Sequence, residues 1–336
     1  MTPAPAGAAG AAARTAAAPA VRHPAAPALR VAALLGRRLA LLTVLLAVVF
    51  AAVELLPGDA ASATSDRGEG AAGVARRRHL LGLDRPVAER FLDWITALPT
   101  GDLGTSARGT PVTGLLAAPF PNTLLLGGTA FVLTALLSLA LGCWAAARPG
   151  GPVDRIVDLT ATAAFALPEF VVSIGLLLVF SLGTGWLPAA TLTGADGSPA
   201  DASMLVMPVL ALALPQTGWN TRVVRAALAD QAATPHVEAA VLDGLPAHRV
   251  LLHHALPGAL PAVATGLATS TGMLLGGAVV VETLFNYPGV GTVLAGAVAD
   301  RDTPVIAGVV ACAAAVITVV LFLADLVRAR TLGARP

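Results

Sequence analysis

Six stretches of this chain are apolar almost without interruption: roughly 34–56, 121–147, 156–182, 204–226, 259–283 and 304–327. A helix needs about 20 predominantly apolar residues to cross a bilayer, so each stretch predicts one spanning helix. The first carries Arg37 and Arg38 at its start and Glu54 near its end. The fifth, "ATGLATSTGMLLGGAVVVE", is dense in small residues, which let helix backbones approach closely or line a path.

Two polar regions break the pattern. In the longer, 57–118, "PVAERFLDWITAL" places Val87, Phe91, Trp94, Ile95 and Leu98 at helical spacing, and Pro86 suits a first helical turn. The stretch predicts a helix, either lying on the membrane surface or packed on the bundle; its balanced charge favours packing. The shorter region, "EAAVLDGLPAHRVLLHHALP" (Glu238 to Pro257), separates the fourth and fifth spans. Thr234 is placed to cap a helix and Pro235 to open it. Glu238 sits where the helix dipole favours an acid, Gly244 suits a left-handed stop, and Pro246 starts a second helix. The first of these helices spans about two turns, too few to be stable alone in water. It needs a tertiary partner, either a separate protein or its own bundle.

Composition fixes the class. Of 336 residues, 56% are hydrophobic and only 12% charged, with mean hydropathy +0.78; soluble domains average about 25% charged. The chain is an integral membrane protein. A net charge of +1 gives no global field for nucleic acid. Cys143 and Cys312 sit in apolar runs and serve as small hydrophobes. Residues 1–30 are rich in Ala, Pro and Arg and lack the apolar core of a secretory signal, so they are expected to be a disordered cytoplasmic tail.

Charge placement sets orientation. Arg30, Arg37, Arg38, Arg148, Arg155, Arg222, Arg225, Arg249, Arg328, Arg330 and Arg335 all fall on one side of a six-span bundle, and the opposite short links hold only Arg301. Both termini and the 238–257 island are therefore expected on the cytoplasmic side, and 57–118 outside. Every basic residue is Arg and none is Lys. The phosphate-binding loop G-x-x-x-x-G-K-[ST] uses its Lys to reach the phosphates, so this chain cannot energise transport through such a loop. It has no HExxH, which disfavours a zinc protease. His253 and His254 form a pair, read as solvent-facing residues rather than a metal site.

Glu238, Ala239, Ala240, Gly244, Leu256 and Pro257 resemble, in spacing, the signature of ATP-binding-cassette importer permeases. His254 stands where that signature usually has Ile. "LLPGD", "LGLDRP", "GDLGTS", "NTLLL", "VDRIVDL", "LPEF", "RVVR", "GGAVVVETLFNYPGVG" and "RDTPV" are similar, in order and spacing, to the first permease of the dipeptide/oligopeptide/nickel importers, over roughly 34–330. The resemblance implies an all-α, six-span type I importer permease in the bacterial plasma (inner) membrane: a first span at 31–56, an extracytoplasmic segment with short helices at 57–118, a five-span core at 119–330 and a cytoplasmic end at 331–336. It implies that 235–257 is a coupling helix docking on a separate ATPase, and that the partners are two ATPase subunits, a second permease and an extracytoplasmic substrate-binding protein. ATP and Mg would bind the ATPases; this chain would hold no cofactor and catalyse nothing. Val241, Leu242 and Asp243 stand where the family often carries basic residues.

Ionisable residues inside a membrane are costly and tend to face a cavity or a partner. Glu169, after Pro168 in the third span, reads either as a pathway acid favouring amine-bearing cargo or as an acid hydrogen-bonded to a neighbouring helix. Glu282 and Phe285, before Tyr287, Pro288 and Gly289, suit a re-entrant turn, which the resemblance implies is part of an extracytoplasmic gate; Tyr287 alone also suits an interfacial anchor. Arg222 and Arg225 are candidates for a cytoplasmic gate or simple topology-setting charges. The rival class, an ion-coupled secondary transporter, calls for paired midplane acids and internal repeats, of which only Glu169 is present.

Overall fold

The computed structural model describes residues 27–55, 58–65 and 70–333. Of the expected tail at 1–30, residues 1–26 lie outside them, as do the last residues, 334–336; residues 27–30 are helical. The described residues form helices α1 (Pro27–Glu54), α2 (Ala60–Ala63), α3 (Ala71–Leu80), α4 (Val87–Ala97), α5 (Val112–Leu116), α6 (Pro119–Ala146), α7 (Pro152–Ala166) and α8 (Glu169–Leu176). They continue through α9 (Ser203–Ala232), α10 (Pro235–Leu242), α11 (Ala247–Arg249), α12 (Leu256–Leu284) and α13 (Val290–Asp300) to α14 (Thr303–Gly333).

α9 is the axis of the bundle and packs against α6, α7, α8 and α12. It is the least apolar of the long helices, with Gln216, Thr217, Asn220 and Thr221 all buried along it. They face protein rather than lipid: Asn220 Nδ2 donates to Gln216 O at 2.9 Å and to Ser270 Oγ of α12 at 2.6 Å. Close approach depends on glycine. A Cβ at Gly218 would lie 2.9 Å from Phe165 N of α7, and one at Gly142 of α6 would lie 2.5 Å from Val224 Cγ1. α1 leans on α14 at the bundle edge.

The third predicted span is not one helix. α7 and α8 meet at 99°. Pro168 disfavours helical backbone at the residue before it, and Leu167 is extended at φ −88°, ψ 121°. Beyond α8 the chain continues as a π-helical turn over Leu177–Gly183. The fifth predicted span is longer than its apolar run: α11, a π-helical segment at Val250–Ala255 and α12 form one helix over Ala247–Leu284. Pro257 has no N–H to give to the preceding turn, and the wider π turn precedes it directly.

The segment between α1 and α6 is packed on the bundle. Trp94 of α4 is buried, its ring 6.2 Å from Phe50 of α1 and its Nε1 donating to Leu103 O at 3.0 Å. Arg90 pairs with Glu54 at 2.8 Å. This is the packed alternative, and it fits Trp94 and Phe91 turning to one side of the helix. Further stitches join the segment to the α13–α14 corner: Arg108 pairs with Asp300 at 2.6 Å, and Ala107 N donates to Asp302 Oδ2 at 2.7 Å.

Candidate functional site

The island after α9 folds as a short helix, a left-handed glycine stop and the start of a second helix. Thr234 is the extended N-cap residue of α10, but its side chain makes no cap bond; the hydroxyl instead donates to Gln231 O at 2.5 Å. Pro235 opens the helix and Glu238 sits in its first turn. Gly244 takes φ +76°, a conformation open to glycine at little cost. Leu245 N donates to Ala240 O at 3.3 Å and Gly244 N to Val241 O at 3.0 Å, the paired bonds of a Schellman stop. A helix that ends this sharply can stand away from the bundle.

Only one face of α10 is seated. Val237 and Ala240 are buried with Val224 and Leu228 of α9 and with Val250 and Ala255. Glu238, Ala239 and Gly244 are exposed, and Val241 and Leu242 protrude, Leu242 at 80% exposure. Leu256 is half-buried and Pro257 exposed, both in the first turn of α12. Between α10, the end of α9 and the α6–α7 turn lies a cavity of about 530 Å³, lined mainly by apolar side chains. The second helix predicted in the island is only α11, run into the fifth span by the π turn.

Arg225 is committed. Its guanidinium holds Asp154 at 2.5 and 3.0 Å and reaches Asp158 at 3.5 Å, clamping α9 to α7. Arg222 is exposed on α9, with no ion pair among the described residues. Asp154 was not singled out in the sequence; the signal was there in Asp154 and Asp158, one helical turn apart.

At the other end of the bundle, Glu282 is fully buried. Its carboxylate accepts from Thr123 Oγ1 at 2.5 Å and from Gly291 N at 2.6 Å, and a Cβ at Gly289 would overlap it. Thr123 Oγ1 in turn accepts from Val290 N at 2.9 Å. Asn122 Nδ2 donates to Gly197 O and Pro288 O, each at 2.8 Å. Tyr287 is fully buried and its hydroxyl donates to Asn122 O at 2.9 Å. It is therefore not an interfacial anchor. Phe285 is buried in the core, its carbonyl accepting from Thr191 N at 2.8 Å. This knot joins the starts of α6 and α13 to the end of α12. Asn122 and Thr123 were missed because nothing local in "NTLLL" points across the fold.

Glu169 lies in the first turn of α8, at the 99° bend. It is half-buried and rests on α12, where a Cβ at Gly277 would be 3.3 Å from its Cδ. Its carboxylate makes no hydrogen bond or ion pair among the described residues, so it is not tied to a neighbouring helix in the way one reading required.

Comparison with known proteins agrees with this architecture. Residues 138–331, more than half of the chain, match the family described as "Binding-protein-dependent transport system inner membrane component". The chain belongs to that family and is a multi-pass inner-membrane component of a transport system. Within it the chain is an ABC importer permease of the dipeptide/oligopeptide type. It is 29% identical over 280 residues to a "Probable peptide ABC transporter permease protein" of Sinorhizobium fredii, covering 83% of this chain and 90% of that one. It is 34% identical over 266 residues to a glutathione transport system permease protein of Pectobacterium atrosepticum, covering 79% and 85%. An oligopeptide transport system permease protein of Bacillus subtilis is 30% identical over 285 residues, covering 83% and 90%. This membership sets aside the ion-coupled alternative.

Proposed function

We propose that this chain is the first of two permeases in a peptide importer, and that α10 with its glycine stop is the lever through which ATP hydrolysed elsewhere moves the bundle. The observation that carries the reading is the seating of α10: two buried residues anchor it to α9 and to the π-helical segment before α12, while Val241 and Leu242 face outward without cover. An apolar residue left this exposed on a short polar segment suits a groove on a soluble protein. Two ATPase subunits bind ATP and Mg; this chain holds no cofactor and catalyses no reaction. A second, homologous permease completes the path, an extracytoplasmic binding protein delivers cargo, and both termini of this chain face the cytoplasm.

Peptide cargo is supported by what the similar permeases are named for: peptides, oligopeptides and glutathione. None of those names points to nickel chelates. Glu169 faces the path and favours an amine-bearing cargo. Glu282 and Phe285 hold the extracytoplasmic gate, and Arg222 faces the cytoplasmic one, with Arg225 acting through Asp154. Leu242→Asp, co-expressed with the neighbouring subunits, tests the lever: the permeases should still purify together while the ATPase is lost. Retention of the ATPase at the wild-type ratio would contradict it.

A further inference from the structure

At the outer end of α1 a polar cavity of about 300 Å³ opens between Glu54, Asp59, Arg78 and Arg301. Its lining and the neighbouring Arg90 bring three guanidiniums to two carboxylates. Glu54 is taken by Arg90 at 2.8 Å and by the Thr303 hydroxyl at 3.2 Å. Asp59 is taken by Arg78 and by Ser62 N at 2.9 Å. Arg301 is left over. Its Nη1 is buried with no hydrogen-bond partner, and no ion pair reaches it among the described residues. The acids beside it in sequence are spent elsewhere: Asp300 on Arg108, and Asp302 on the amide of Ala107.

The backbone holds this arrangement in place. Arg301 takes φ +53°, a left-handed conformation that is unfavourable for a non-glycine residue. That turn ends α13 and sends the guanidinium back over Gly58, where a Cβ would be 3.5 Å from Arg301 Cζ. A strained backbone and a buried, unpaired cationic donor are both unfavourable in isolation. Both are offset if an anion sits in the cavity, because guanidinium binds a tetrahedral or planar oxyanion through a rigid pair of donors.

We propose that this cavity is a binding site for a phosphate-type oxyanion, with Arg301 as its principal ligand. The site lies where the first apolar helix ends, the depth at which phospholipid headgroups carry their phosphate. The chemistry is shared by a lipid phosphate and a free one. The site is distinct from the lever and from the Glu282 knot, so it stands or falls apart from the transport reading.

The test uses the full chain, purified with its co-expressed subunits in a phosphate-free glycoside detergent. Arg301→Gly is the informative variant, since glycine accepts the left-handed turn while the side chain, guanidinium included, is removed. Short-chain phosphatidylglycerol and, separately, inorganic phosphate are titrated while the thermal unfolding midpoint is read. A midpoint that rises several degrees with the lipid in the wild type, and stays flat in Arg301→Gly, supports the site and assigns it to a headgroup. A rise with inorganic phosphate that is likewise lost in the variant supports the site and assigns it to a free oxyanion. Equal responses in wild type and variant to both ligands, or none in either, would overturn it.

Discussion

Glu282 is a buried acid whose two bonded oxygens organise three helices. Gly289 exists to let it fit: its φ of −107° suits any residue, so the requirement for glycine there is one of space. Gly289→Ala therefore overpacks the knot, at roughly 1–3 kcal/mol, and should lower the unfolding midpoint of the assembled protein. Adding Glu282→Ala should restore part of the loss, because it removes the atoms the new methyl strikes. Strictly additive losses would show that the two residues do not share the space described. The acid and the glycine were both legible in "ETLFNYPGVG". Their partner Thr123 was not, because it lies 159 residues from Glu282 and no local pattern links them. At Glu169 the carboxylate has no hydrogen-bond or ion-pair partner among the described residues, so Glu169→Gln should raise the KM for an amine-bearing peptide and leave that for an N-acetylated one unchanged; equal effects on both would remove Glu169 from the path. Asp302, at the outer corner, titrates in the fold differently from a free acid. Burial pushes its carboxyl above the usual range, with the amides of Ala107 and Val305 opposing. Its folded pKa is raised, so the stability it contributes is full below the unfolded value of about 3.9 and is lost as pH rises through the folded one. Asp302→Asn should flatten that part of the stability profile, measured as the unfolding midpoint against pH.

At the scale of elements, three features depart from a plain reading of apolar runs, and each has a backbone cause. The third span bends because Pro168 holds Leu167 extended. The fifth extends beyond its apolar run through a π turn just before Pro257. α9 is central although it is the least apolar of the long helices, because its amides and hydroxyls face other helices rather than lipid. Hydrophobic periodicity locates such elements but reports neither bends nor which polar residues find partners inside. The lever was better marked: Pro235, Gly244 and Pro246 punctuate it in the sequence and do so in the fold. Gly244→Ala should cost roughly 1 kcal/mol in local stability and shift the direction in which α10 points. The expected readout is ATPase activity that no longer responds to the loaded binding protein, while the subunits still co-purify. Stimulation at the wild-type level would mean that the left-handed stop does not set the geometry of the lever.

Across the whole molecule the two ends of the bundle are built differently. The end that carries the Glu282 knot is stitched: Arg108 to Asp300, Arg90 to Glu54, Asp302 to Ala107 and the knot itself join segments distant in sequence. The opposite end has, among the described residues, the Arg225–Asp154 clamp and an Arg38–Asp325 pair at 2.8 Å that ties α1 to α14, while α10 is seated by two small side chains beside an open apolar cavity. A helix seated this lightly can pass on force applied at α10, provided that something outside the chain supplies the force. With no Lys to build a phosphate-binding loop, the chain cannot supply it that way. The most direct measurement is uptake of a labelled peptide into vesicles holding this chain, its second permease and the binding protein, with and without the ATPase subunits and ATP. The account predicts accumulation above the external concentration only when ATPase and ATP are both present. Accumulation to the same level without the ATPase would contradict it.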